Sequence, residues 1–170
     1  DLYFRCLEET GTVVTPFNVF QRFQTRHDLV RYFLATLDLP GAYDVDLADF
    51  DQDGDLDVAG SSWVLGNQFA WFENDGSPAD GEWKKHLIDQ DQAETRTMRA
   101  ADFDGDGDAD LLGTARKAKA VLWYENLLDQ GVVSWQKHLI DDKSLCPAHG
   151  NPADMDGDGD LDVVMALGFY

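Results

Sequence analysis

Fifteen of the chain's 33 acidic residues are aspartates in three short stretches of one design. The first holds Asp49, Asp51, Asp53, Gly54, Asp55 and Asp57. The second holds Asp102, Asp104, Asp106, Gly107, Asp108 and Asp110, and the third Asp154, Asp156, Asp158, Gly159, Asp160 and Asp162. Counted from its first Asp, each stretch has carboxylates at positions 1, 3, 5, 7 and 9 and glycine at position 6. A hard cation such as calcium takes six to eight oxygen ligands at about 2.3–2.6 Å. Carboxylates at positions 1, 3 and 5 converge when the chain curls around an ion, and the glycine permits the sharp turn. Position 7 offers its main-chain carbonyl, and the carboxylate at position 9 closes the shell. Calcium is the expected ion, one per loop and three in all. Magnesium fits less well, because it dehydrates reluctantly and rarely accepts an all-protein cage.

An EF-hand shares the first six positions but needs Glu at position 12. That position is Gly60, Gly113 and Met165 here, and the flanks read as strands rather than helices. Solvated acidic turns are the alternative reading, and three copies that each keep all five aspartates argue against it. The two cysteines, Cys6 and Cys146, form no CxxC pair, so a zinc site of that type is not expected. A Cys6–Cys146 disulfide and two free thiols are both open from sequence.

The loops belong to a longer repeat. They start at Asp49, Asp102 and Asp154, 53 and then 52 residues apart. WFEN at 71–74 returns as WYEN at 123–126, and WKKHLID at 83–89 as WQKHLID at 135–141. Within a unit the pattern is β. Tyr43, Val45 and Leu47 alternate with Asp44 and Asp46, as in a half-buried strand. Leu56 and Val58 begin a second strand, Phe69 to Glu73 form a third, and Trp83, Lys85 and Leu87 lie on a fourth. NDGSPADGE at 74–82 and NLLDQGVVS at 126–134 are turns between the third and fourth. Four short strands in about 52 residues make one blade of a β-propeller.

The expected fold is therefore all-β, with four-stranded antiparallel blades, about three in number, and a ring left incomplete within one chain. The units fall at 41–93, 94–146 and 147–170, the last a half blade. Residues 1–40 are an N-terminal segment readable as a partial or degenerate blade. Its part 17–39 has a competing helical reading, with Thr15-Pro16 as a start signal and Phe17, Phe20, Phe33 and Leu34 as a stripe.

Charge and length exclude several classes. The net charge is −20, and residues 1–37 contribute nothing to it, with four acidic and four basic residues. Nucleic acid and anionic membranes would be repelled. No apolar run approaches the roughly 20 residues of a membrane span. The chain opens on Asp1 rather than Met and reads as a processed or excised segment.

ADFDQDGDLDVAG and ADFDGDGDADLLG, with their flanks, resemble the FG-GAP/VCBS repeats of integrin-α-like propellers, over roughly residues 41–170. The resemblance implies a calcium loop joining the first two strands of each blade, and an extracellular or cell-surface protein. Whole propellers of that family have six to eight blades, so missing blades imply strand pairing with other copies or with the rest of a longer chain. The leading expectation is a non-catalytic, calcium-stabilised scaffold for adhesion or self-assembly. The alternative is part of a polysaccharide-acting enzyme, a lyase or dehydratase, or a sugar-binding propeller with a glycan or protein ligand. A lyase needs a base beside a cation, and no compact Tyr/His/Arg set stands out. His86 and His138 share a repeat position and read as packing or structural hydrogen bonds. Trp71, Trp83, Trp123 and Trp135 read as blade core. The first strand of a blade lines the channel in that family, and there the units differ: Tyr43, Asp44 and Asp46 align with Arg96, Thr97 and Arg99, and with Ala148, His149 and Asn151.

Overall fold

The computed structural model describes residues 38–63, 65–76 and 83–168. The N-terminal strand or helix, and Cys6 with its disulfide, lie outside the described residues. Among the described residues there are ten strands and no helix. The first blade is β1 (Ala42–Ala48), β2 (Asp57–Ser62), β3 (Gln68–Glu73) and β4 (Lys84–Asp89). The second is β5 (Thr95–Ala101), β6 (Asp110–Ala115), β7 (Ala120–Asn126) and β8 (Trp135–Asp141). β9 (Pro147–Ala153) and β10 (Asp162–Leu167) form the two-stranded start of a third. Every sheet is an antiparallel meander with neighbours in chain order. The chain is an array of propeller blades, and the described residues do not close a ring.

Register places each acidic loop identically. Ala48 pairs with Asp57, Ala101 with Asp110, and Ala153 with Asp162. Position 9 is therefore the first residue of each blade's second strand. The second strand begins one residue later than the hydrophobic pattern implies, because Leu56 stays in the loop and is exposed while Asp57 enters the ladder.

β2 and β3 alternate between two cores. Ala59, Phe69 and Trp71 face one side, and pack with Phe50 against Met98, Leu111, Leu122 and Tyr124 of the second blade. Val58, Ala70 and Phe72 face the other side, with Leu39 and Ala42. β2 and β6 are buried at every position, including the polar Asp57, Ser61 and Ser62 of β2. The corresponding β10 alternates between partly buried and exposed. Phe69 meets Tyr124 with ring centroids 5.5 Å apart. A Cβ on Gly113 would stand 3.0 Å from both of those rings. Position 12 of the second repeat is thus a glycine for packing between blades.

The outer strands repeat in detail. An extra residue, Ile88 in β4 and Ile140 in β8, bulges each strand at the same place. Beyond the first bulge, Asp89 accepts from Tyr124 Oη at 2.9 Å and from Lys137 Nζ at 2.7 Å, both in the second blade. Lysines on these edge strands also discourage pairing with other sheets.

Candidate metal centres

The loops owe their shape to their own aspartates. Asp49 accepts the amides of Asp53 and Gly54, at 3.1 and 3.0 Å. Asp102 accepts those of Gly105 and Gly107, at 2.7 and 3.1 Å, and Asp154 those of Gly157 and Gly159, at 2.7 and 3.2 Å. Position 3 takes the amide of position 5 at 3.2 Å in all three loops: Asp51 from Asp53, Asp104 from Asp106, Asp156 from Asp158. Position 5 takes the amide of position 7, so Asp53, Asp106 and Asp158 hold Asp55, Asp108 and Asp160. These are successive Asx turns, each side chain standing in for a backbone acceptor. Position 6 is left-handed throughout, with φ of 100°, 99° and 101° at Gly54, Gly107 and Gly159. Position 4 is left-handed as well, a requirement unseen in the sequence reading. It is Gly105 and Gly157 in two loops, but Gln52 at φ 57° in the first.

Position 9 anchors the loop to its blade. Asp57 accepts the Phe50 amide at 3.1 Å and the Asn74 amide at 2.8 Å. Asp110 accepts those of Phe103 and Asn126 at 3.0 and 2.7 Å, and Asp162 that of Met155 at 3.0 Å. Asn74 and Asn126 are the final residues of WFEN and WYEN, so the signal for this support lay in the repeat.

Three groups of carboxylates converge, each with oxygens within 4.8 Å of one another: Asp49, Asp51 and Asp53; Asp102, Asp104 and Asp110; Asp154, Asp156 and Asp162. Positions 1 and 3 belong to every group. Position 5 joins in the first loop and position 9 in the other two. The carboxylates of Asp55, Asp57, Asp106, Asp108, Asp158 and Asp160 lie outside these groups. Burial pushes the Asp57 carboxyl up to about 7, ahead of two opposing backbone hydrogen bonds, and Asp51 and Asp53 add to the rise. Burial likewise raises Asp51 and Asp110. Crowded carboxylates that favour protonation are the environment a divalent cation reverses. An all-oxygen donor set, partly open to water, suits a hard ion and fits calcium.

The FG-GAP-like repeat family matches over residues 49–113 and again over 102–165. The chain belongs to the FG-GAP-like repeat family. No curated protein and no solved structure matches it.

Other residues singled out from sequence now have places in these FG-GAP-like repeats. His86 stacks on Trp71 with centroids 4.3 Å apart, and its Nε2 is 2.6 Å from Glu73 Oε2. His138 stacks on Trp123 at 4.4 Å and reaches Glu125 Oε2 at 2.5 Å. Each is a structural clamp between β3 and β4, or β7 and β8. Trp71 is buried, and Trp83 and Trp135 are partly buried against the two cores.

The variable positions on the first strands meet one another. The Arg96 guanidinium lies 4.6 Å over the Tyr43 ring and 4.4 Å over Trp63. Tyr43 stacks with His149, centroids 6.0 Å apart. Arg99 bonds Asp44 Oδ2 at 2.6 Å and Asn151 Oδ1 at 3.2 Å. Asp44 and Asp46 also accept the Met98 and Ala100 amides of the next blade. These side chains tie the first strands together.

Proposed function

We propose that the chain is a calcium-stabilised extracellular scaffold that serves adhesion or self-assembly and is not itself a catalyst. The observation that carries this is the recurrence of one carboxylate cluster at the same hairpin of all three blades. Each ion would be held by positions 1, 3, 5 and 9 and by the main-chain carbonyl of position 7: Asp49, Asp51, Asp53, Asp55 and Asp57; Asp102, Asp104, Asp106, Asp108 and Asp110; Asp154, Asp156, Asp158, Asp160 and Asp162. The ion would supply positive charge and a fixed coordination shell, which stiffen the hairpin and hold first and second strands in register. Extracellular sites of this class have Kd of roughly 10⁻⁴–10⁻³ M. Calcium reaches that range outside cells, so sites of this class would be filled there. Thermal melting in calcium against EGTA tests the reading, and an unchanged melting temperature sinks it.

Self-assembly is supported by β10. Its outer edge has no strand partner among the described residues, and on its faces Val164 and Leu167 are 45 % and 53 % exposed. An open edge templates strand addition, with main-chain hydrogen bonds supplying affinity. The proposed occupant is a strand of another copy or of the rest of a longer chain.

A glycan ligand is the second reading, favoured by the Tyr43–Arg96–Trp63 stack with His149 beside it. Binding of acidic oligosaccharides that Arg96→Ala abolishes would support it over the first.

A further inference from the structure

We propose that the first two loops take up calcium as a coupled pair, linked through Gln52 and Asn126. The inference rests on the calcium reading above and adds regulation to it. Gln52 occupies position 4 of the first loop, between the cluster residues Asp51 and Asp53. Its side chain crosses to the second blade. Nε2 donates to Asp108 Oδ1 at 2.7 Å and to the Gly107 carbonyl at 3.2 Å. Asn126 makes the return connection. Its Nδ2 donates to the Phe50 carbonyl of the first loop at 2.9 Å and to the Ala109 carbonyl at 3.3 Å. Its amide donates to Asp110, a member of the second acidic group. Each loop is therefore held by a residue that also holds the other.

Among the described residues no bridge of the Gln52 kind joins the second and third loops. Position 4 of the second loop is Gly105, which has no side chain to send across. The hydrogen bonds from the second blade to the third sheet run instead through Thr97 and Arg99 of β5.

Coupling follows from shared ordering. An ion in the second loop, with the Asp108 carbonyl as its expected ligand, fixes Asp108, and with it the side chain and the adjoining Gly107 carbonyl that Gln52 holds. That steadies Gln52, which must hold a left-handed backbone uncommon for a residue with a side chain. Asp51 and Asp53 flank it and are ordered with it. The first loop then loses less conformational freedom on taking its own ion. Linkage makes the effect reciprocal.

A calcium titration of the intact chain, followed by calorimetry, tests this. Asp154→Ala serves as the background, so that only the first two sites remain. The second ion should bind roughly fivefold more tightly than the first, at the low end of ordinary coupling. Gln52→Gly in that background should still bind two ions, since glycine is at ease at this φ and no ligand is lost, but with the coupling reduced to what the Asn126 link alone carries. Gln52→Asn tolerates the same backbone and is one methylene too short to bridge, and should behave alike. Two independent ions in the parent, or cooperativity undiminished by both substitutions, would overturn the coupling and leave the calcium reading standing. No calcium uptake by the unsubstituted chain would overturn both.

Discussion

Asp110 is 1 % exposed and accepts two backbone amides while it joins the second acidic group. Its truncation therefore acts on the fold as well as on the ion. Asp110→Ala leaves the amides of Phe103 and Asn126 without that acceptor and should cost about 1–3 kcal/mol even in EGTA. Asp102→Ala removes a largely exposed member of the same group and should weaken calcium binding at the second loop at least about tenfold, as the loss of one charged ligand among few. Asp108→Ala should change that affinity much less, because its expected contribution is a carbonyl. Equal losses in Asp102→Ala and Asp108→Ala, read from calcium titrations, would contradict the ligand assignment.

Elements are joined across blades by a few specific contacts. Burial by itself would raise the Asp89 carboxyl, but hydrogen bonds from Lys137, the Asp91 amide and Tyr124 outweigh it and hold the group below its ordinary value. Its contribution is fully present above the unfolded value, near 4, and is lost as pH falls through the lower folded value. Asp89→Asn should destabilise the pair of blades by about 1–3 kcal/mol at neutral pH. The difference between the two proteins should shrink steadily below about pH 4. Denaturant melts at a series of pH values in EGTA measure it, and a difference independent of pH would refute the charge assignment. At the apolar part of the same interface, Phe69→Ala should cost about 3–5 kcal/mol. Gly113→Val, which pushes methyl groups into the Phe69 and Tyr124 rings, should cost about 1–3 kcal/mol or more.

For the whole molecule, calcium acts by mass action. At about 1 mM calcium, a site with Kd of roughly 10⁻⁴–10⁻³ M adds on the order of 0.4–1.4 kcal/mol. Three sites together approach about 4 kcal/mol, a large part of the 5–15 kcal/mol typical of a domain. The melting temperature should rise in calcium and fall in EGTA. Assembly is the second property at this scale. If β10 is completed by another copy, sedimentation in calcium should show species larger than one chain, and a proline at Val164, within β10, should reduce them. A compact single chain with the β10 amides protected from exchange would overturn that arrangement.

The periodicity of the fold was present in the sequence because its cause is local. Each loop's shape comes from aspartates bonding amides two to five residues away, as Asp102 does with Gly105 and Gly107, so spacing alone specified it. Period-2 alternation over Tyr43 to Leu47 and the repeat of WFEN and WKKHLID placed the strands for the same reason. The contacts between units depended on tertiary structure. Nothing local says that Gln52 reaches Asp108, that Asn126 supports Phe50, or that Arg96 lies between Tyr43 and Trp63. Gln52 and Asp108 are 56 residues apart, and a repeat fixes the form of each blade without fixing which side chains meet when blades pack. Position 12 shows the division. Sequence excluded an EF-hand there because Gly113 is not glutamate, while only packing revealed that Gly113 makes room for two rings from two different blades.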